Sequence, residues 1–507
     1  MPKALPLMFQ GTSSDVGKSV ITAAFCRIFA QDGYRTAPFK SQNMALNSYI
    51  TADGKEIGRA QGVQAEAAGT AANTFMNPIL IKPNREYESQ IVVHGKPFKN
   101  MKAGAYRQEF FDRGLSLIRE SLDELSGSFD RLVIEGAGSP AEINLNDREL
   151  VNMRVARMAD APVILIGDID RGGVFASLVG TLQLMEEKDR DRVIGVIINK
   201  FRGDVSLLQD GLDWFEEYTG KKVFGVIPYM EDLHIDAEDS LALNQYKGRN
   251  ERGRELDIAV LQYPRISNFT DIDPLMAEGD CSVRYVDSAA ALGRPDLIVL
   301  PGSKNTIEDL RYMKERGLAE AVTSLYKAGT SMVFGICGGY QMLGREIADE
   351  HAVESPFSYE RGLGILPIGT SLAREKKTVL SEGTLSFRGS SHLVKGYEIH
   401  MGVTEHEMDG ESLIIMKDGL DGFITNNGMA AGTYFHGIFH NDSFRWDLLN
   451  SMRERKGLEP VINRISYKVL QEESFDRLAA HVREFTDING IEQAMKDFSG
   501  KGAALHE

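Results

Sequence analysis

Short runs of β-branched and apolar residues alternate with helix-length stretches twice along the chain, and this rhythm restricts the fold more than any other feature. The first series comprises residues 5–9, 131–134, 162–166, 193–198 and 223–227; the second comprises 257–261, 296–300, 331–334 and 433–435. Strands separated by helical stretches predict parallel sheets covered by helices on both faces, so the expected class is α/β with two sheet domains. Between the two series the pattern gives way to a polar run, residues 244–255, that marks a boundary. The expected division is 1–240, a linker 241–255, a second domain 256–445 and a helical C-terminal extension 446–507. In that extension Phe475, Leu478, Ala479 and Val482 have the spacing of a helical packing face.

The length of 507 residues leaves ample core for such an arrangement. A net charge of −16 argues against broad binding to nucleic acid or to an anionic membrane surface, both of which rely on surplus Lys and Arg. No apolar run reaches the roughly 18–20 residues that span a bilayer. The N-terminus runs straight into a glycine-containing loop and leaves no room for a signal peptide. Cys26, Cys281 and Cys337 are too few and scattered for a disulfide framework. A cytoplasmic enzyme is therefore expected, with oligomeric state left open, a homo-oligomer included.

The first strand leads into Gly11, Thr12, two serines, Asp15, Val16, Gly17, Lys18 and Ser19, and then into a stretch of helical spacing. Strand, glycine loop and helix in this order turn backbone N–H groups and a helix N-terminus toward a phosphate. Lys18 would reach the outer phosphates and Ser19 would ligate magnesium. The first glycine stands one residue earlier than in the standard pattern, so this is a variant loop. A magnesium site also needs carboxylates, and Glu135 ends a strand before Gly136-Ala-Gly138. Asp53 and Asp168 are further candidates, with a solvated loop aspartate or a helix cap as the alternative. Asn199 closes a strand where such folds often read the base.

In the second series, the strand 331–334 opens into Gly335-Ile-Cys337-Gly-Gly339. Small residues on both sides of a cysteine suit a sharp strand-to-helix turn that lifts the sulfur out of the backbone, and a helix N-terminus behind it favours thiolate. Cys337 is the candidate nucleophile; Cys26 and Cys281 read as buried structural thiols. A thiol nucleophile needs a base, and His436 arrives at the end of a short apolar run. The loop containing Gly302 and the N–H of Gly338 would supply the oxyanion donors.

These residues carry a family resemblance. The second half resembles the class I glutamine amidotransferases, through the elbow at 335–339, the Pro-Gly loop at 301–302 and His436. Many members carry Glu two positions after the histidine, where this chain has Ile438. The third member of the triad is thus left open, with a Cys–His pair acting alone as one form. The first half is similar to the dethiobiotin-synthetase-type ATPases. Three blocks, 38–47, 56–61 and 76–83, resemble the cobyric acid synthase family of the cobalamin pathway.

That resemblance implies ATP and Mg2+ as cofactors, and glutamine and a corrinoid, adenosylcobyrinic acid a,c-diamide, as substrates. Its b, d, e and g carboxylates would be amidated by way of an acyl phosphate, with ammonia led along a shielded path. Lys40 would bridge phosphate and substrate carboxylate, with a solvated surface lysine as the alternative. Gln42, Asn43 and Asn47 are polar candidates for gripping the corrin side chains, or else form a hydrogen-bonded loop. Rival readings are another amidoligase of the same architecture, such as the a,c-diamide synthase or a cell-wall precursor amidase, and a nucleotide-switch ATPase carrying an inactive glutaminase.

Overall fold

The computed structural model describes residues 3–85, 87–230, 233, 253–406 and 411–504. The expected linker lies outside the described residues except for 253–255. The chain forms two compact units: residues 1–45, 55–235 and 471–507 make the first, and 46–54 with 236–470 make the second. This differs from a simple division in series. The extension at 446–507 is shared, and a short N-terminal segment belongs to the second unit.

The first unit is built on a six-stranded sheet in the order Lys222–Pro228, Val193–Phe201, Val163–Asp168, Leu5–Gly11, Arg131–Glu135 and Thr36–Phe39. Every neighbouring pair is parallel. The central strands are buried on both faces, which is why they read as continuous apolar runs rather than alternating ones. A four-stranded sheet of Gln42–Met44, Ile79–Arg85, Glu88–Val93 and Lys96–Lys102 is added after the edge strand.

The C-terminal helices complete this core. Phe475, Leu478, Ala479 and Val482 of helix Tyr467–Phe485, with Ile491 and Met495 of helix Ile488–Ala504, pack among Leu7, Phe9, Phe25 and Phe29. Each of the larger of these side chains contributes roughly 1.5–3 kcal/mol by leaving water. The backbone closes too, since a Cβ on Gly225 would lie 2.3 Å from the Phe485 carbonyl oxygen.

The second unit has its own six-stranded sheet, ordered Cys281–Val286, Leu256–Leu261, Leu297–Leu300, Met332–Ile336, Ala430–Thr433 and Phe423–Ile424. Only the last strand is antiparallel. A long hairpin, Ile368–Phe387 against Ser390–His406, forms a second sheet whose far member is Phe435–His436. That pairing sets Tyr397 opposite His436. Among the described residues no helix is long and apolar enough to cross a membrane.

Candidate functional sites

In the first unit the phosphate loop joins the strand Leu5–Gly11 to the helix Lys18–Gln31. Gly17 turns the chain with φ 98°, a conformation that favours glycine, and a Cβ there would displace Asn199 Nδ2, 2.2 Å away. Asn199 Nδ2 donates to the Val16 carbonyl at 2.8 Å, which makes this residue a brace for the loop. Lys18 Nζ donates to the carbonyls of Ser13 at 2.8 Å and Gly138 at 3.2 Å, so its ammonium is held over the loop.

Glu135 is the hub beside it. Its Oε1 accepts from Ser19 Oγ at 2.8 Å and Lys40 Nζ at 2.9 Å, and its Oε2 accepts from Gln64 Nε2 at 2.6 Å. Burial alone would raise this carboxyl, but Lys40 above all, then Gln64 and Ser19, hold it below the ordinary range. The hub is therefore an anion poised next to a helix-terminal hydroxyl, a donor set that fits magnesium. Among the described residues no group of three or more His, Cys, Asp or Glu forms a metal cage. Ser19 Oγ and the Glu135 carboxylate are the protein groups here that would hold such a cation.

Two further acidic candidates have partners of their own. Asp168 accepts from Lys200 Nζ at 2.9 Å and from the Asp170 N–H, an ion pair with a local turn. Asp53 belongs to the second unit, where the Thr51 hydroxyl donates to it at 2.5 Å. Gln64, by contrast, had no signal of its own in the sequence beyond sharing a helix with Gln61.

Near this hub lies a cavity of about 580 Å3, lined by apolar Met44, Phe111 and Leu145 and by Gln42, Arg107 and Arg148. Met44 and Leu145 are exposed. Tyr106 donates its hydroxyl to Gln42 Oε1 at 2.5 Å, and Asn43 Nδ2 donates to Gln61 Oε1 at 3.0 Å. Gln42 thus faces the cavity while Asn43 ties its strand to the helix Arg59–Ala67.

In the second unit, the strand Met332–Ile336 ends at Cys337, which takes φ 52° and ψ −109° before the helix Gly338–Leu343. Such a conformation costs a non-glycine residue on the order of 1–3 kcal/mol. The Cys337 N–H is anchored on the Thr433 carbonyl at 2.8 Å, and its sulfur lies 3.8 Å from the Ile399 carbonyl oxygen. A Cβ on Gly338 would meet Ser303 N at 2.8 Å, and one on Gly302 would meet His436 Cε1 at 3.2 Å. The glycine backbones, the loop and the histidine therefore crowd one place. Tyr263 donates its hydroxyl to the Pro301 carbonyl behind that loop.

His436 is bonded through Nδ1 to Asp271 Oδ2 at 2.7 Å, and the Cys337 side chain is near enough to act electrostatically on its ring. Asp271 Oδ1 also accepts from the Gly437 N–H at 2.7 Å, so one buried carboxylate fixes both ring and backbone. Burial by itself would lower the imidazole, but Asp271 and Cys337 outweigh it and His436 is raised to about 10. The array can generate a nucleophilic sulfur and return a proton to a leaving amine.

Asp271 takes the position of third member left open by Ile438. Its only trace in the sequence is a polar turn, residues 268–273, after the first strand of the second series. Asn47, a candidate for the corrin, instead accepts from the Phe269 N–H at 3.2 Å within the second unit. His440 lies past the histidine, its ring packed edge-on to Tyr467. Cys26 and Cys281 are buried, and burial pushes both thiols up.

Comparison with known proteins gives both halves a class. The CobQ/CobB/MinD/ParA nucleotide binding domain matches residues 7–242, and the CobB/CobQ-like glutamine amidotransferase domain matches 257–444. The chain is thus a nucleotide-binding domain joined to a glutamine amidotransferase. It is 63% identical to the cobyric acid synthase of Geobacillus sp. (strain WCH70), over 98% of this chain and 99% of that one. It is 48% identical to the cobyric acid synthase of Desulforamulus reducens, over 99% and 100%. The chain belongs to the cobyric acid synthase family.

Proposed function

We propose that the chain is a glutamine-hydrolysing, ATP-dependent ligase that converts the b, d, e and g carboxylates of adenosylcobyrinic acid a,c-diamide into carboxamides, giving adenosylcobyric acid. The observation that carries this reading is the presence on one chain of a Cys337–His436–Asp271 array and a Lys18–Ser19–Glu135–Lys40 hub. One makes ammonia and the other activates an acid. The choice of corrin rests on the relatives' name and on the blocks at 38–47, 56–61 and 76–83.

A carboxylate is a poor acylating agent. Its attack on the γ-phosphorus of ATP gives an acyl phosphate and ADP, after which ammonia adds to the carbonyl and phosphate departs. The loop between Thr12 and Lys18 offers backbone N–H groups to the phosphates, while Lys18 and Lys40 offset charge on the transferred group. Magnesium, when bound by Ser19 and Glu135, neutralises phosphate charge. The cavity beside the hub offers apolar surface for a macrocycle, with Arg107 and Arg148 for its acidic side chains.

At the other site Cys337 attacks the glutamine amide, the N–H groups near Gly302 and Gly338 stabilise the oxyanion, and His436 protonates the departing ammonia. Water then releases glutamate from the thioester. Such an enzyme works in the cytoplasm, where ATP and glutamine are found.

The reading is tested by mass spectrometry of the corrin incubated with protein, ATP, magnesium and glutamine. Successive acid-to-amide steps that stop once b, d, e and g are converted support it. Glutamine hydrolysis with an unchanged corrin would leave the glutaminase and discard the substrate.

A further inference from the structure

Residues 46–54 belong to the second unit although the chain on both sides of them belongs to the first. They leave the first unit directly after the Lys40–Ala45 stretch and engage the surroundings of His436 from two directions. On the polar side the bonds are reciprocal. The Ser48 N–H donates to Asn268 Oδ1 at 2.9 Å, and the Phe269 N–H donates to Asn47 Oδ1 at 3.2 Å. Asn47, Ser48 and Asn268 are all buried, so neither bond competes with bulk water.

Asn268 sits in the left-handed region, φ 50° and ψ 38°, immediately before the turn Phe269–Ile272 that carries Asp271. An amide can point either way, and the Ser48 N–H decides it: the oxygen must face Ser48, so Nδ2 is sent toward His436 Nε2, 3.3 Å away. The histidine thus lies between Asp271 at Nδ1 and Asn268 at Nε2, where Nδ2 can donate once the ring has passed its Nε2 proton to the departing ammonia.

On the apolar side Ile50 packs with Tyr397 and Ile399. The Tyr397 ring stacks on that of His436, with centroids 5.1 Å apart and planes at 17°. The Ile399 carbonyl is the one that faces the Cys337 sulfur. A segment from the N-terminal half of the sequence therefore buttresses both faces of the cysteine–histidine pair.

We propose that residues 46–54 are a positioning element of the glutaminase, with Asn47 as its principal side-chain anchor: by holding the Phe269 N–H it keeps the Ser48 N–H seated on Asn268, and together they hold His436 in register with Cys337. The inference rests on the glutaminase reading of Cys337 and His436. It gives Asn47 a part in making ammonia rather than in holding the corrin. A misplacement of about 1 Å in such a pair costs on the order of 10²-fold in rate.

The test uses the full chain with Asn47→Ala and Asn47→Asp, the latter retaining an acceptor oxygen for the Phe269 N–H. Glutamine hydrolysis and amidation driven by ammonium salt are measured side by side. For Asn47→Ala, kcat for glutamine hydrolysis is expected to fall about 10- to 100-fold with KM for glutamine nearly kept, while ammonium-driven amidation proceeds as in wild type. Asn47→Asp is expected to recover most of the loss. Wild-type kcat in Asn47→Ala overturns the proposal, as does an equal loss of glutamine- and ammonium-driven activity. A wild-type chain that does not hydrolyse glutamine removes the glutaminase reading itself, and this proposal with it.

Discussion

Asp271 Oδ2 lies 2.7 Å from His436 Nδ1 although the two residues stand 165 positions apart in the chain. The carboxylate accepts the Nδ1 proton and so orients the ring, stabilises its charged form and leaves Nε2 for the sulfur side. Asp271→Asn is expected to lower kcat for glutamine hydrolysis by on the order of 10²- to 10⁴-fold, because an asparagine amide favours the wrong tautomer. Wild-type His436, raised to about 10, keeps its proton at neutral pH, so activity should decline on the alkaline side as that proton is lost. Without Asp271 that limb moves toward lower pH. Initial rates across pH check both, and a profile unchanged in height and position would refute the role.

Glu135 accepts from Ser19, Lys40 and Gln64 at once. Glu135→Gln removes the anion but keeps the volume. The magnesium concentration for half-maximal ammonium-driven amidation is expected to rise about tenfold or more, with glutamine hydrolysis retained. A magnesium titration that superposes on wild type would show that Glu135 has no part in the metal site.

Asp309, buried behind the Gly302–Ser303 loop, accepts from Ser303 Oγ at 2.6 Å and the Arg265 N–H at 3.1 Å. Burial raises its carboxyl from 3.8 to about 7. The sign follows from linkage: the folded state binds the proton more tightly, so this stabilisation is complete below about pH 4 and lost as pH rises toward 7. Asp309→Asn, always neutral, should gain stability relative to wild type across that window, by on the order of 4 kcal/mol at most. Denaturant titrations at several pH values check it; parallel curves for the two proteins would contradict it.

Phe475 is buried against the first core from a helix near the C-terminus. Phe475→Ala is expected to destabilise the first unit by ~3–5 kcal/mol and to lower ATP-dependent activity at temperatures that spare glutamine hydrolysis. Thermal unfolding followed with both activities tests this, and a joint loss of the two would argue against it.

Most strands of the two central sheets were legible as short apolar runs, but Thr36–Phe39, Cys281–Val286 and Phe423–Ile424 are missing from the two series, and the run at 433–435 only overlaps the strand Ala430–Thr433. The elbow around Cys337 was legible because only small residues fit its close approaches. The hairpin Ile368–Phe387 with Ser390–His406 was not. Its strands alternate buried and exposed side chains and carry charged residues such as Arg374 to Lys377, which read as surface loop. Helical spacing at Phe475 to Val482 revealed a packing face without naming the surface it covers. Asp271 and Gln64 were hidden for a related reason. Their partners are distant in sequence, and nothing local distinguishes an acid on a catalytic imidazole from an ordinary turn aspartate.

The central claim is that nitrogen released at Cys337 becomes the amide nitrogen of the corrin. It is tested most directly by supplying glutamine labelled with 15N in its side-chain amide together with unlabelled ammonium salt. The account predicts that the b, d, e and g amides made by the wild-type chain carry 15N, whereas Cys337→Ala makes the same amides unlabelled. Unlabelled amides from the wild-type chain, or labelled ones from the variant, would contradict it.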